Sequence, residues 1–125
     1  MARTTVPITS AVGSNGALIT ATALDPTNGM NIPNPVRSRK LLVRISNTGG
    51  AAAIATVRAG ADYGAGGGAF RASLGDLAVS ITNGTAQIFE IESARFNQSD
   101  QSINIDFAAG MTGTIEAYVM DWYAA

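Results

Sequence analysis

Apolar residues in this chain recur at every second position, and almost nowhere at the three-to-four spacing of a helix. Leu41, Val43 and Ile45 alternate with Leu42, Arg44 and Ser46. Leu77, Val79 and Ile81 alternate with Ala78, Ser80 and Thr82. Gln87, Phe89 and Ile91 alternate with Ile88, Glu90 and Glu92, and Ile103, Ile105 and Phe107 alternate with Asn104 and Asp106. Successive side chains of an extended strand point to opposite faces, so each run specifies a strand with one apolar face. The same pattern on a helix would scatter apolar groups around its whole circumference. The chain is therefore expected to be all-β.

Further strands are expected at residues 4–9, 17–23, 51–58 and 113–122, where β-branched residues are frequent. In the last of these, Ile115, Ala117 and Val119 share one face, while Tyr118, Met120 and Trp122 share the other. Asn83-Gly84 lies between two alternating runs and reads as a hairpin turn, because both positions of such a turn need positive φ. Asn47-Thr48-Gly49-Gly50 and residues 109–113 read as further turns. Short strands separated by Gly-rich turns predict a single-domain antiparallel β-sandwich, jelly-roll-like, of about eight strands. Residues 25–39 carry three of the 4 prolines and read as a long loop. Residues 59–69 read as a mobile Gly-rich loop, and residues 92–97 as a short helical turn. The domain expectation is an extended N-terminal arm over residues 1–15, ordered on a partner, followed by the β-sandwich at 16–125.

Composition narrows the chemistry. The 125 residues contain no Cys and no His, which removes thiolate and imidazole ligands, bases and nucleophiles. No cofactor, metal or catalytic residue is therefore expected. Charged residues make up 14%, against about 25% in ordinary soluble domains. So few charges suit a surface largely covered by neighbours. The opening MARTTVPITS has no apolar run after its Arg, so a secretory signal is not expected. No stretch is apolar enough to span a membrane, and a net charge of −1 argues against direct nucleic-acid binding. The charges are nevertheless unevenly placed. Residues 1–71 hold Arg3, Arg37, Arg39, Lys40, Arg44, Arg58 and Arg71 against Asp25 and Asp62 alone. Residues 72–125 hold Arg95 against Asp76, Glu90, Glu92, Asp100, Asp106, Glu116 and Asp121. Such a split suits an interface between a basic and an acidic patch of neighbouring subunits.

Individual motifs are weak. GAGGG at 64–68 lacks the Lys-Ser/Thr pair of a phosphate loop. Glu90 and Glu92 share a strand face to which Asp106 could add a third carboxylate, but acids at this spacing ordinarily mark a solvated face. Asn97-Gln98-Ser99-Asp100 is oxygen-rich without the spacing of a calcium loop. Arg37, Arg39, Lys40 and Arg44 form the densest basic cluster, with no interleaved aromatics for stacking on bases. Trp122 and Tyr123 read as packing residues of a type also enriched at interfaces.

The segments NTGGAAAIATVRAG, GDLAVSITNGTAQIFEIESARFNQSDQSINIDF and the Gly/Thr-rich turn after them carry a resemblance. From Leu41 to Val119 the chain resembles small structural proteins of tailed bacteriophages, the capsid decoration (cement, auxiliary head) type. The resemblance implies a virion protein, made in the host cytoplasm and carried on the outer capsid surface. It implies a homo-oligomer, commonly a trimer, that bridges major capsid proteins and stabilises the head against internal DNA pressure. On that reading Arg3, Arg37, Arg39 and Lys40 meet acidic capsid surface, while Tyr63, Gly66, Gly67, Trp122 and Tyr123 pack between subunits. Two other readings stand beside it. One is a different virion component, a head–tail connector or tail subunit. The other is a carbohydrate- or cell-surface-binding module using Trp122, Tyr118 or Tyr63. An enzyme is not expected.

Overall fold

The structure is a computed structural model that describes residues 2–10, 18–33, 40–60, 74–91 and 93–120. These residues form ten strands and one helical turn: β1 (Thr4–Thr5), β2 (Ile8–Ser10), β3 (Thr22–Ala23), β4 (Met30–Ile32), β5 (Lys40–Asn47), β6 (Ala53–Val57), β7 (Leu77–Ile81), β8 (Ala86–Ile91), α1 (Ser93–Phe96), β9 (Ile103–Phe107) and β10 (Gly113–Met120). The first sheet has the order β1-β4-β9-β6-β7. The second has the order β2-β10-β5-β8, with β3 also paired to β10. Each sheet is mixed: β1–β4 and β2–β10 are parallel, and the other pairings are antiparallel. The expected all-β class is what the chain adopts.

Alternation does the local work. In β5, Leu41, Val43 and Ile45 are buried, and in β9 so are Ile103, Ile105 and Phe107. The inward residues of both sheets, with Val6, Phe96 and Met111, form one apolar core. Burying each large aliphatic side chain contributes about 1.5–3 kcal/mol, so a one-residue register slip, which would expose a whole row, is strongly disfavoured.

Three expectations need correction. Residues 25–39 are not loop throughout, because Met30-Asn31-Ile32 forms β4 between β1 and β9, with Met30 and Ile32 wholly buried. The strand is only three residues long and ends at Pro33, so local pattern hides it, while the free edge of β9 supplies its partner. The N-terminal arm is likewise built into the domain over residues 2–10. Thr4 and Thr5 pair with Met30 and Asn31, Ile8 to Ser10 pair with Ala117 to Val119, and Val6 between them is fully buried. Residues 11–15 of that segment lie outside the described residues. Finally, Asn83-Gly84 does not close a hairpin. β7 pairs with β6 in the first sheet, and β8 pairs with β5 in the second. The turn is a crossover between layers.

Two other turns do the same. Residues 48–52 carry the chain from β5 to β6, and residues 108–112 carry it from β9 to β10, from one sheet to the other each time. Asn47, fully buried, ties the three together. Its side-chain amide donates to the carbonyls of Ala51 and Ile81, both at 2.8 Å, and its Oδ1 accepts the Gly49 N–H at 3.0 Å. The Asn47 carbonyl accepts from Gly84 N, and Thr48 N donates to Thr112 O. In the second crossover Asn83 Oδ1 accepts the Gly50 N–H at 2.8 Å.

Candidate functional site

The outward rows of the two sheets present two different surfaces. On the first sheet the row runs through Asn31, Asn104, Asp106, Thr56 and Ile54. Asn31 Nδ2 donates to Asn104 Oδ1 at 2.8 Å. Arg3 Nη1 donates to Asp106 Oδ1 at 2.6 Å and to the Ile105 carbonyl at 3.3 Å. Arg58 continues the chain of charges, reaching Asp106 at 3.5 Å and Asp76 at 3.2 Å. Gly29 lies under the Arg3–Asp106 pair with φ +76°, and a β-carbon there would collide with both side chains. Beside this network a shallow groove of about 470 Å³ is lined entirely by polar residues: Arg3, Asn31, Gln98, Ser99, Asp100, Ser102 and Asn104.

On the second sheet the row Ile88, Arg44 and Glu116 lies next to the row Glu90, Leu42, Tyr118 and Thr9. Glu116 is nearly buried, with Arg44 Nη1 donating to its Oε1 at 2.9 Å and the Tyr118 hydroxyl donating to its Oε2. Burial first, and then the bond to Glu116, pushes the Tyr118 hydroxyl up to about 12. Ile88 stands 66% exposed in the middle of β8.

Among the described residues, part of the charge split along the sequence is spent inside the chain. Arg3–Asp106, Arg44–Glu116, Arg58–Asp76 and Arg58–Asp106 each join a base from residues 1–71 to an acid from residues 72–125. The reason is topological: β9 and β10 are inserted between strands of the earlier half, so sequence halves are interleaved in space.

Of the residues expected to act at surfaces, Arg3 is described, and it is held by Asp106 rather than projecting from a free arm. Lys40 opens β5 opposite Met120. Arg37, Arg39, Tyr63, Gly66, Gly67, Trp122 and Tyr123 lie outside the described residues, as does the GAGGG segment. Glu90 and Asp106, weighed above as parts of one carboxylate cluster, stand on different sheets and face opposite sides. Asp100 caps its own turn. It accepts the Ser102 hydroxyl at 2.5 Å and the Ser102 N–H at 3.0 Å, bonds that hold its carboxyl below the usual range. Among the described residues no cluster of three or more acids could hold a metal ion, and no helix is long and apolar enough to cross a membrane. Sequence reasoning singled out the oxygen-rich Gln98, Ser99 and Asp100 that line the groove, but it missed the groove itself and the role of Asn47. The alternation of Asn31 and Asn104 between buried neighbours is a second local signal that points to the groove.

Compared with known proteins, the chain matches no family model, no curated protein and no solved structure.

Proposed function

We propose that this chain is a jelly-roll capsid decoration protein, carried as a homo-oligomer on the outer surface of a phage head, where it bridges major capsid proteins. The observation that carries the reading is the correspondence between the resemblance and one structural unit. Residues 41–119 hold all but the ends of β5–β10, together with the crossovers gathered around Asn47. The jelly-roll part of the proposal is supported by strand order. From β3 to β10 the chain visits the second, first, second, first, first, second, first and second sheets. The orders β3-β10-β5-β8 and β4-β9-β6-β7 are those of two interlocked Greek keys. The N-terminal β1 and β2 then extend or fill an edge of each sheet.

In this reading the domain is a rigid spacer, and its work is mechanical. Its described ion pairs are internal, so assembly contacts rest on apolar and polar surface together with basic residues at the capsid face. Arg37 and Arg39, before β5, and Lys40, its first residue, meet acidic capsid surface. Arg3 contributes through the face it shares with Asp106.

The test is the copy number of this chain relative to the major capsid protein, by quantitative mass spectrometry of purified particles of the phage that encodes it. Hundreds of copies in a simple ratio are expected. A few copies would move the protein to the neck or tail, and absence from the particle would overturn the reading. The polar groove favours a second reading, a glycan-binding module, because amides, hydroxyls and a carboxylate suit sugar hydroxyls. Glycan binding that is lost in Asn104→Ala, in a chain absent from particles, would establish that one instead.

A further inference from the structure

The four outer edges of the two sheets are not equivalent. At one flank they end in short strands: β1 has 2 residues, β2 has 3 and β3 has 2, and Pro7 interrupts the run between β1 and β2. At the other flank lie β7 and β8, with 5 and 6 residues. Among the described residues β7 pairs only with β6, and β8 pairs only with β5. Proteins usually blunt such edges with Lys, Pro, a bulge or extreme shortness. Here neither strand contains Lys or Pro. Their registers run without a bulge from Leu77 to Ile81 and from Ala86 to Ile91. β7 carries no charge at all, and β8 presents exposed Ile88.

The hydrogen-bond phase shows which amides face outward. Ala108 N donates to Ile54 O and Arg58 N to Asn104 O, so the even residues of β6 bond to β9 and the odd ones to β7. Leu77, Val79 and Ile81 therefore bond inward, and Ala78 and Ser80 turn their amides to the open edge. In β8 the bond from Asn47 N to Thr85 O sets the phase, which turns the amides of Ala86 and Ile88 outward. On both strands the residues with outward amides also carry their side chains on the solvent face of the sheet. Antiparallel partners place paired side chains on the same face, so β7 of one copy and β8 of another match in both hydrogen bonding and face. With Phe89 set against Val79 and Ile91 against Leu77, Ile88 faces Ser80 and Glu90 faces Ala78. A large side chain meets a small one, and no like charges meet. Leu77 and Val79, only partly buried in the single chain, are covered.

We infer that the β7/β8 flank is a self-association surface, on which β8 of each copy adds to β7 of the other. Because each copy offers one edge of each kind on the same flank, two facing copies satisfy both contacts at once, and a closed two-fold dimer is the expected state. The inference rests on the self-association in the proposed function, but not on capsid binding. Its test needs no capsid, so either can fail without the other.

The experiment is light-scattering mass measurement on the full chain, with far-UV circular dichroism to verify folding. Wild type is expected near twice the chain mass of 12.8 kDa. Ile88→Lys alone and Ser80→Lys alone are each expected to fall to the single-chain mass, since both positions face solvent within one chain. The double variant I88K/S80E, which sets Lys opposite Glu in adjoining copies, is expected to restore the assembled mass. Hydrogen exchange at the amides of Ala78, Ser80, Ala86 and Ile88 should slow with protein concentration. A wild type at the single-chain mass at all concentrations, or an I88K variant that keeps the assembled mass, would overturn the inference. Insensitivity to S80K would also overturn it, by replacing the β7–β8 contact with a pairing of β8 on β8. Failure of the double variant to reassemble would overturn the register.

Discussion

The side-chain amide of Asn47, the last residue of β5, donates at 2.8 Å to the main-chain carbonyl of Ile81, the last residue of β7 in the opposite sheet. The same nitrogen reaches the Ala51 carbonyl. One buried amide thus fastens two crossovers where the chain changes layers. Asn47→Ala leaves both carbonyls and the Gly49 N–H without this partner. A buried polar group left unsatisfied costs about 1–3 kcal/mol, so the variant is expected to lose about 2–3 kcal/mol in urea unfolding. Asn47→Asp keeps the acceptor for Gly49 but aims a carboxylate at the two carbonyls, and it is expected to lose more than the alanine variant.

Gly29 is required twice, by its φ of +76° and by the Arg3–Asp106 pair packed against it. Gly84 has a similar φ of +79° with open space around it. Gly84→Ala therefore measures the backbone cost alone, about 1 kcal/mol at the low end for a residue held in that region. Gly29→Ala must also displace the ion pair, so it is expected to lose about 2–3 kcal/mol. Equal losses in thermal or urea unfolding would show that the ion pair yields freely.

The four ion pairs are not of equal weight. Glu116 has a side chain only 11% exposed, and Arg44 is its cation. Removing Arg44 strands a nearly buried carboxylate, and Arg44→Ala is expected to cost about 1–3 kcal/mol. Arg58 is about half exposed and shares its partners. Its pairs lie in the range of surface ion pairs, about 0–1 kcal/mol. Arg58→Ala should therefore be the milder variant, and a reversed order in unfolding free energies would contradict this ranking.

The Tyr118 hydroxyl is raised to about 12, above its ordinary 10, so the folded state favours its neutral form. Stability from this group is complete below pH 10 and is lost as pH rises from about 10 towards 12. Wild type is expected to show a late step in tyrosinate absorbance that Tyr118→Phe removes. The alkaline fall in stability should be shallower in the same variant. Asp25 works in the other direction. The Thr4 hydroxyl, then the Asn28 and Thr27 amides, hold its carboxyl below 3.8. Its contribution is present above that value and lost as pH falls through the lower folded one, and Asp25→Asn should flatten the acid limb.

Much of the fold is legible in the residues themselves. Period two is a local property, so β5 to β10 can be read from their own residues, along with the helical turn after β8. At Asn83-Gly84 sequence reasoning reaches the strands on either side but not their partners, since the same turn residues serve a hairpin and a change of layer. The three residues of β4 carry too little pattern to stand out from the prolines around them. Residues 4–9 read as one strand within an arm over 1–15, because the pairing of two short strands with Met30-Asn31 and with Ala117 to Val119, far away in the chain, leaves no local mark.

The all-β class and the absence of Cys and His follow from the amino-acid order alone, because strand alternation and composition need no partner to be read. Which sheet each strand joins is settled only in three dimensions, and so is the pairing of Arg3, Arg44 and Arg58 with acids of the later half. The same holds for the buried asparagine that ties the crossovers and for the edges of β7 and β8, unpaired among the described residues. Those outcomes depend on residues up to about a hundred positions apart, such as Arg3 and Asp106, meeting in one place, which no local pattern encodes.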